Sequence, residues 1–298
     1  IRQMRPGLIQ LEIGVQSTNT DTIREIRRTM RLEEVREHVA RIKEKGNIHQ
    51  HLDLIAGLPY EDIKSFRKSF DDVYSMRPDQ LQLGFLKVLK GSHMQEMQQE
   101  YELRYKDEPP YEVLSTKWLP YSDVIRLKGL EEMVEVYYNS RQFEHTMELL
   151  EQVFGDAFVM FEEMSNYYEE HGYYGVNHNR VARYEILYAF IKEVALVQYE
   201  TLLTEEQFRQ TLVMDLYLRE NMKNRPAFAG DSLVSKEVER TFYDTEAEEH
   251  QYLKGYEKYD KRQLRKMTHL ENLDGHLILF DYQNRNPLTN QATTYEVI

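Results

Sequence analysis

The sequence has 298 residues, 41% of them hydrophobic, with 51 acidic side chains against 38 basic ones and no cysteine. That length and apolar content suit one large domain or two ordinary ones and exclude wholesale disorder. The formal charge of −13 disfavours general nucleic-acid binding, and zero cysteines exclude disulfides, thiolate zinc sites and a cysteine-ligated cluster within these residues.

No apolar run reaches membrane-spanning length and no leader opens the sequence, so a cytoplasmic, soluble protein without membrane association is expected. Ile1 is not an initiator, and the chain enters a strand pattern within ten residues. From Leu8 to Gln16 the sequence LIQLEIGVQ alternates strictly. Ile9, Leu11, Ile13 and Val15 share one face; Gln10, Glu12, Gly14 and Gln16 share the other. A helix is predicted from about Asn19, its N-cap, to Arg28, and another from Leu32 to Lys45, ending at Gly46. The second strand, Ile48 to Gly57, sets His49, His51 and Asp53 on one face. A helix from Tyr60 to Met76 follows, and then a third strand, Gln80 to Leu89.

Alternating strands and helices imply parallel strands joined by crossovers. One apolar and one polar face per strand suits a β/α barrel with a roomy interior better than a doubly wound sheet. Three units cannot close a barrel, so either the sheet is open or further units precede Ile1. The fold class expected is α/β plus mostly-α: a partial, half TIM-like β/α barrel of parallel strands, then a helical domain ending in a β-hairpin. The divisions fall at 1–105, 106–263 and 264–298.

The back half reads as helices at Ser122–Ser140, Gln142–Phe154, Asp156–Glu170, Val181–Leu203, Glu205–Asn224 and Thr245–Tyr259. Its tyrosines, part of 22 in the chain, fit core packing with the hydroxyl at the edge better than radical relays. The basic stretch Lys254–Lys266 reads as a solvated helix face. His276–Tyr282 and Ala292–Ile298 flank an Asn-Arg-Asn-Pro turn and pair as a hairpin. There is no Glu-x-x-His pair, HExxH, phosphate loop or dinucleotide fingerprint.

Taken together, IGVQS and DLIAGLP, with LGFLKVLKGS after them, resemble the middle and late barrel strands of radical S-adenosylmethionine (SAM) enzymes. The nearest branch includes the anaerobic coproporphyrinogen oxidase and the cobalamin-binding radical SAM proteins. The resemblance covers residues 1–95 and implies an Fe–S oxidoreductase using a [4Fe–4S] cluster and SAM to generate a 5′-deoxyadenosyl radical. An electron donor such as flavodoxin or ferredoxin is implied too; the small-molecule substrate is not. The family's CxxxCxxC loop is absent, so the expectation is a fragment, inactive by itself, of a longer enzyme. EMVEVYYNSRQF and LRENMKNRP resemble helical extensions of the cobalamin-binding branch, which implies cobalamin as a further cofactor.

By the same resemblance Gln16 contacts SAM, Arg28 meets its carboxylate (with Arg27 the alternative register), Asp53 holds the ribose hydroxyls, and backbone near Leu89 meets adenine. The chemistry is consistent: a guanidinium offers a forked donor pair to a carboxylate, and an inward acid at a strand's C-terminal end suits a vicinal diol. Glu12, His49 and His51 are candidates to face substrate deeper in the cavity. Hydrogen-bonded interior packing is the simpler role for the histidines, and a metal site from His49, His51 and Asp53 the sharper one. The rival readings are a non-catalytic binding or scaffold protein with a degenerate half-barrel, and an ordinary α/β enzyme matching by chance.

Overall fold

The structure, a computed structural model, describes residues 3–298. Its front is β1 (Gln10–Gln16), α1 (Thr20–Glu25), α2 (Leu32–Lys43), β2 (His49–Ala56), α3 (Ile63–Tyr74) and β3 (Gln80–Phe85). The short elements α4 (His93–Glu96), β4 (Arg104–Tyr105) and β5 (Val113–Ser115) lead to α5 (Tyr121–Met133), which runs on as a π-helix to Asn139. Then come α6 (Glu144–Phe154), α7 (Ala157–Glu170), α8 (Arg180–Phe190), α9 (Leu196–Gln198) and α10 (Glu205–Arg219). The chain closes with α11 (Lys236–Glu249), α12 (Lys261–Met267), β6 (Thr268–Leu273), β7 (His276–Arg285) and β8 (Ala292–Val297).

Two compact units form, Ile1–Ser140 with Phe154–Tyr174, and Arg141–Val153 with Gly175–Ile298. In the first, β1, β2 and β3 pair in parallel and in that order. Of the apolar face expected for β1, Val15 is buried and Ile9, Leu11 and Ile13 are half-buried, while Leu52, Leu54, Leu81 and Leu83 of the next two strands are buried. Phe70 and Tyr74 of α3 meet Phe158 and Phe161 of α7 at ring separations of 5.7–6.0 Å. Tyr137 and Tyr168 are buried with their hydroxyls 2.8 Å apart, the packing role expected for the tyrosines.

The two edges of the sheet differ. On β3, the Asn139 side chain accepts from Leu81 N and donates to Leu81 O, both at 2.9 Å, imitating a neighbouring strand. Past Phe85 the chain turns to pair with 111–113, Val113 N donating to Leu86 O and Val88 N to Tyr111 O. That turn ends β3 at Phe85, four residues before the predicted Leu89. On the far side of β1 no strand pairs among the described residues.

In the second unit, Asp215 of α10 organises the start of α6. Its buried carboxylate accepts from His145 N (3.1 Å), Thr146 N (3.0 Å) and Thr146 Oγ1 (2.8 Å), satisfying donors a helix start leaves unpaired. His145 Nδ1 lies 2.7 Å from the same carboxylate, which raises the imidazole above its ordinary pKa of 6.5. Sequence and structure differ at 245–259. The helix begins earlier, at Lys236, and stops at Glu249 because His250 turns left-handed (φ 48°). Buried Glu246 then accepts from Tyr252 N and Leu253 N, folding the following stretch into turns. The basic segment is therefore helical only from Lys261 on. The expected pairing of the last two strands is present, and β6 joins it to make an antiparallel sheet ordered β6-β7-β8.

Asp215→Ala leaves several buried donors unmatched and is expected to cost about 2–4 kcal/mol in denaturant unfolding. Because folding raises the His145 pKa, its stabilisation is full below the unfolded value of 6.5 and is lost as pH rises through the folded value. Unfolding midpoints at pH 6 and pH 9 should therefore converge in His145→Gln relative to wild type; an unchanged gap contradicts this.

Candidate functional site

Parallel register aligns the polar face row by row. Glu12 stands opposite His51, and His51 opposite Gln80; one row on, Gly14 stands opposite Asp53, and Asp53 opposite Gln82. His49 pairs with Gln10, nearer the start of the strands. A cavity of about 450 Å³ opens at the C-terminal ends of the strands. Its polar lining comprises Gln16, Asp53, Gln82, Lys87, Glu112 and Glu131.

Alternation alone would leave Gln16 on the same face as Glu12, but a bulge follows Gly14 and shifts its partner to Leu54. Gln16 adopts φ 72°, an uncommon conformation for a residue with a side chain. Its amide folds back over Gly14: a Cβ there would lie 2.5 Å from Gln16 Nε2 and 3.5 Å from Arg28 Nη1. A side chain at 14 would displace the Gln16 amide from this position, while Arg28 Nη1 would sit at ordinary van der Waals distance. Arg28 is placed by the end of α1, where Arg27 turns left-handed and donates to Arg24 O while Arg28 N donates to Ile23 O, a Schellman termination. Of the two arginine registers, Arg28 is the one beside Gly14.

Along the polar face of β2, His51 Nε2 lies 3.2 Å from Asp53 Oδ1. The contact is not aligned as a hydrogen bond, and Asp53 Oδ1 and both His51 ring nitrogens are buried without a hydrogen-bond partner among the described residues. Burial raises the Asp53 pKa above its ordinary value; His51 opposes the rise and Glu12 adds to it. Glu12 and Arg28 are exposed, and His49 is half-buried. Leu89 is 54% exposed and outside the cavity lining; Leu86 and Lys87 take that end of the strand. Among the described residues no three His, Asp or Glu side chains form a metal-ligand group, so His49, His51 and Asp53 do not make one.

Three charged lining groups were not anticipated. Lys87 enters because the chain turns after Phe85, while Glu112 and Glu131 arrive from distant elements with no local sequence signal. Lys128 Nζ meets Glu112 at 2.7 Å, and burial raises the Glu131 pKa. The Asp53 titration is expected to move down in Glu12→Gln and up in His51→Phe, as followed by carboxyl carbon NMR; opposite signs would contradict this coupling.

A family described as "Protein of unknown function (DUF4080)" matches residues 99–295. The oxygen-independent coproporphyrinogen-III oxidase-like protein HemZ of Bacillus subtilis (strain 168) is 28% identical over 99 residues, 33% of this chain and 20% of HemZ. Coproporphyrinogen III oxidase (HemN) from Escherichia coli, a radical SAM enzyme, aligns at 19% identity and a TM-score of 0.26, over 41% of this chain and 32% of its own. The chain thus spans about a fifth of the length of HemZ and about a third of that of HemN. No helix among the described residues is long and apolar enough to cross a membrane. Since the family match takes in well over half of the sequence, the protein belongs to the DUF4080 family.

Proposed function

We propose that this chain supplies the SAM-facing strands and an accessory helical region of a radical SAM oxidoreductase. The observation that carries the reading is the meeting of Gln16 and Arg28 over Gly14, opposite Asp53, at the C-terminal ends of parallel strands. The similarity to HemZ supports it. The family match, over residues 99–295, takes in the helical region that this reading makes accessory.

The residues present fit SAM. Arg28 is a forked donor for its carboxylate, Gln16 an amide beside it, and Asp53 carries a buried oxygen, without a hydrogen-bond partner among the described residues, that a ribose hydroxyl can satisfy. Backbone around Leu86 and Lys87, in place of Leu89, borders the cavity where adenine would lie. The residues do not fit the cluster: with no cysteine there is no thiolate set, so its ligands come from sequence outside these 298 residues. Together the cluster and SAM supply one-electron, hydrogen-abstracting chemistry. The unpaired edge of β1 is the side on which further barrel strands would add, since the β3 edge is closed by Asn139 and by 111–113. Glu12, His49 and His51 would face substrate below SAM. Cobalamin enters the proposal only through the resemblance of the helical segments, and flavodoxin or ferredoxin only as the electron donor such chemistry requires.

In the protein expressed from its complete gene and loaded anaerobically with iron and sulfide, Asp53→Ala is expected to weaken SAM binding about tenfold or more. That is the loss of charged hydrogen bonds worth ~1.5–3 kcal/mol. Unchanged SAM affinity in a folded, cluster-loaded variant would overturn the assignment.

A further inference from the structure

Behind the candidate site lies a carboxylate that this function leaves without a role. Glu61, in the loop after β2, is 1% exposed. Its Oε1 accepts from Ser17 Oγ (2.7 Å) and Ser69 Oγ (2.8 Å). Those two hydroxyls hold the exit from β1: Ser17 Oγ accepts from Asn19 N, and Ser69 Oγ from Thr18 N, each at 3.0 Å. Thr18 Oγ1 reaches Asp72 at 2.7 Å, and Asp72 in turn holds Lys68. Alongside, Asn19 Nδ2 donates to Tyr60 O and Thr22 Oγ1 to Pro59 O. The turn from Gln16 into α1, the helix that leads on to Arg28, is thus tied, bond by bond, to the loop that follows Asp53.

That tie has a physical purpose. Gln16 holds a left-handed backbone that costs of order 1–3 kcal/mol and persists only where its surroundings over-determine it. Ser17, Thr18 and Asn19 follow at once, and Glu61 is the hub on which their contacts converge. We propose that Glu61 is a positioning residue: through Ser17 and Ser69 it fixes the β1 exit turn, and so the presentation of Gln16 and Arg28 to the ligand over Gly14. What the turn presents rests on the SAM reading above; that Glu61 fixes the turn does not.

The role asks only for an acceptor oxygen at Oε1. Burial pushes the Glu61 pKa up to about 7 against the pull of the two serine bonds, and Oε2 has no hydrogen-bond partner among the described residues. A glutamine carbonyl can accept both hydroxyls in the same way, whereas alanine accepts neither.

The test uses the complete, cluster-loaded protein with Glu61→Ala, Glu61→Gln and Ser17→Ala, the last in case the alanine hub variant does not fold. Amide hydrogen exchange at Thr18 and Asn19 reads the turn without SAM. Expected is exchange at least tenfold faster in Glu61→Ala or Ser17→Ala, with Glu61→Gln restored to within a few-fold of wild type. SAM affinity should follow the same order. Unchanged exchange in a folded Glu61→Ala or Ser17→Ala protein overturns the proposal, as does loosened exchange with unaltered SAM affinity. If wild type binds no SAM at all, the reading of the site falls, and exchange alone then decides whether Glu61 holds the turn.

Discussion

The parallel register of β1 on β2 is the constraint from which the candidate site follows. It sets Gly14 opposite Asp53, and the missing side chain at 14 leaves the place in which the Gln16 amide lies over the strand, with the Arg28 guanidinium beside it. A slip of one residue would turn Glu12, His51 and Asp53 toward the helices and Leu52 and Leu54 toward water. The buried leucines therefore specify the polar face as firmly as the apolar one. The bulge after Gly14 shifts the partner of Gln16 to Leu54, and Gln16 still lines the cavity with Asp53 and Gln82, on the side that alternation assigns to it.

A chain with this excess of acid does not spend all of it on the surface. Glu61 ties two loops of the first unit together through serine hydroxyls. Asp215 takes up the free donors at the start of α6, and Glu246 those of the turn after α11. Glu271, buried against Arg225 and His269, is held below the ordinary carboxylate range by those partners despite its burial. In each case a buried acceptor satisfies backbone or hydroxyl donors, or a cation, that would otherwise be stranded.

Local patterns were legible in the sequence wherever the neighbours that matter lie within a few residues. Strand alternation identified the buried leucines, and Asn19 caps α1 as its type and position suggested. Gln16, Arg28 and Asp53 were singled out from motifs, and the structure brings Gln16 and Arg28 together beside Asp53. What sequence reading missed depends on distant partners. β3 stops at Phe85 because 111–113 claims the next residues, and that same turn carries Leu89 away from the cavity and Lys87 into it. The helix expected across 245–259 fails because Glu246 caps a turn six and seven residues on and His250 adopts a left-handed backbone. Glu61 stands 44 residues from Ser17, and no local pattern links them.

The strand ends carry Gln16, Asp53 and Lys87 into one cavity, and the proposed reading makes that cavity the seat of a charged nucleoside. The most direct measurement is the yield of 5′-deoxyadenosine when the protein from its complete gene, loaded anaerobically with iron and sulfide, is reduced in the presence of SAM. The account predicts that 5′-deoxyadenosine forms and that its yield falls in Arg28→Lys, which keeps the charge but loses the fork. A cluster-loaded protein that forms none, or forms as much with Arg28→Lys, would contradict it.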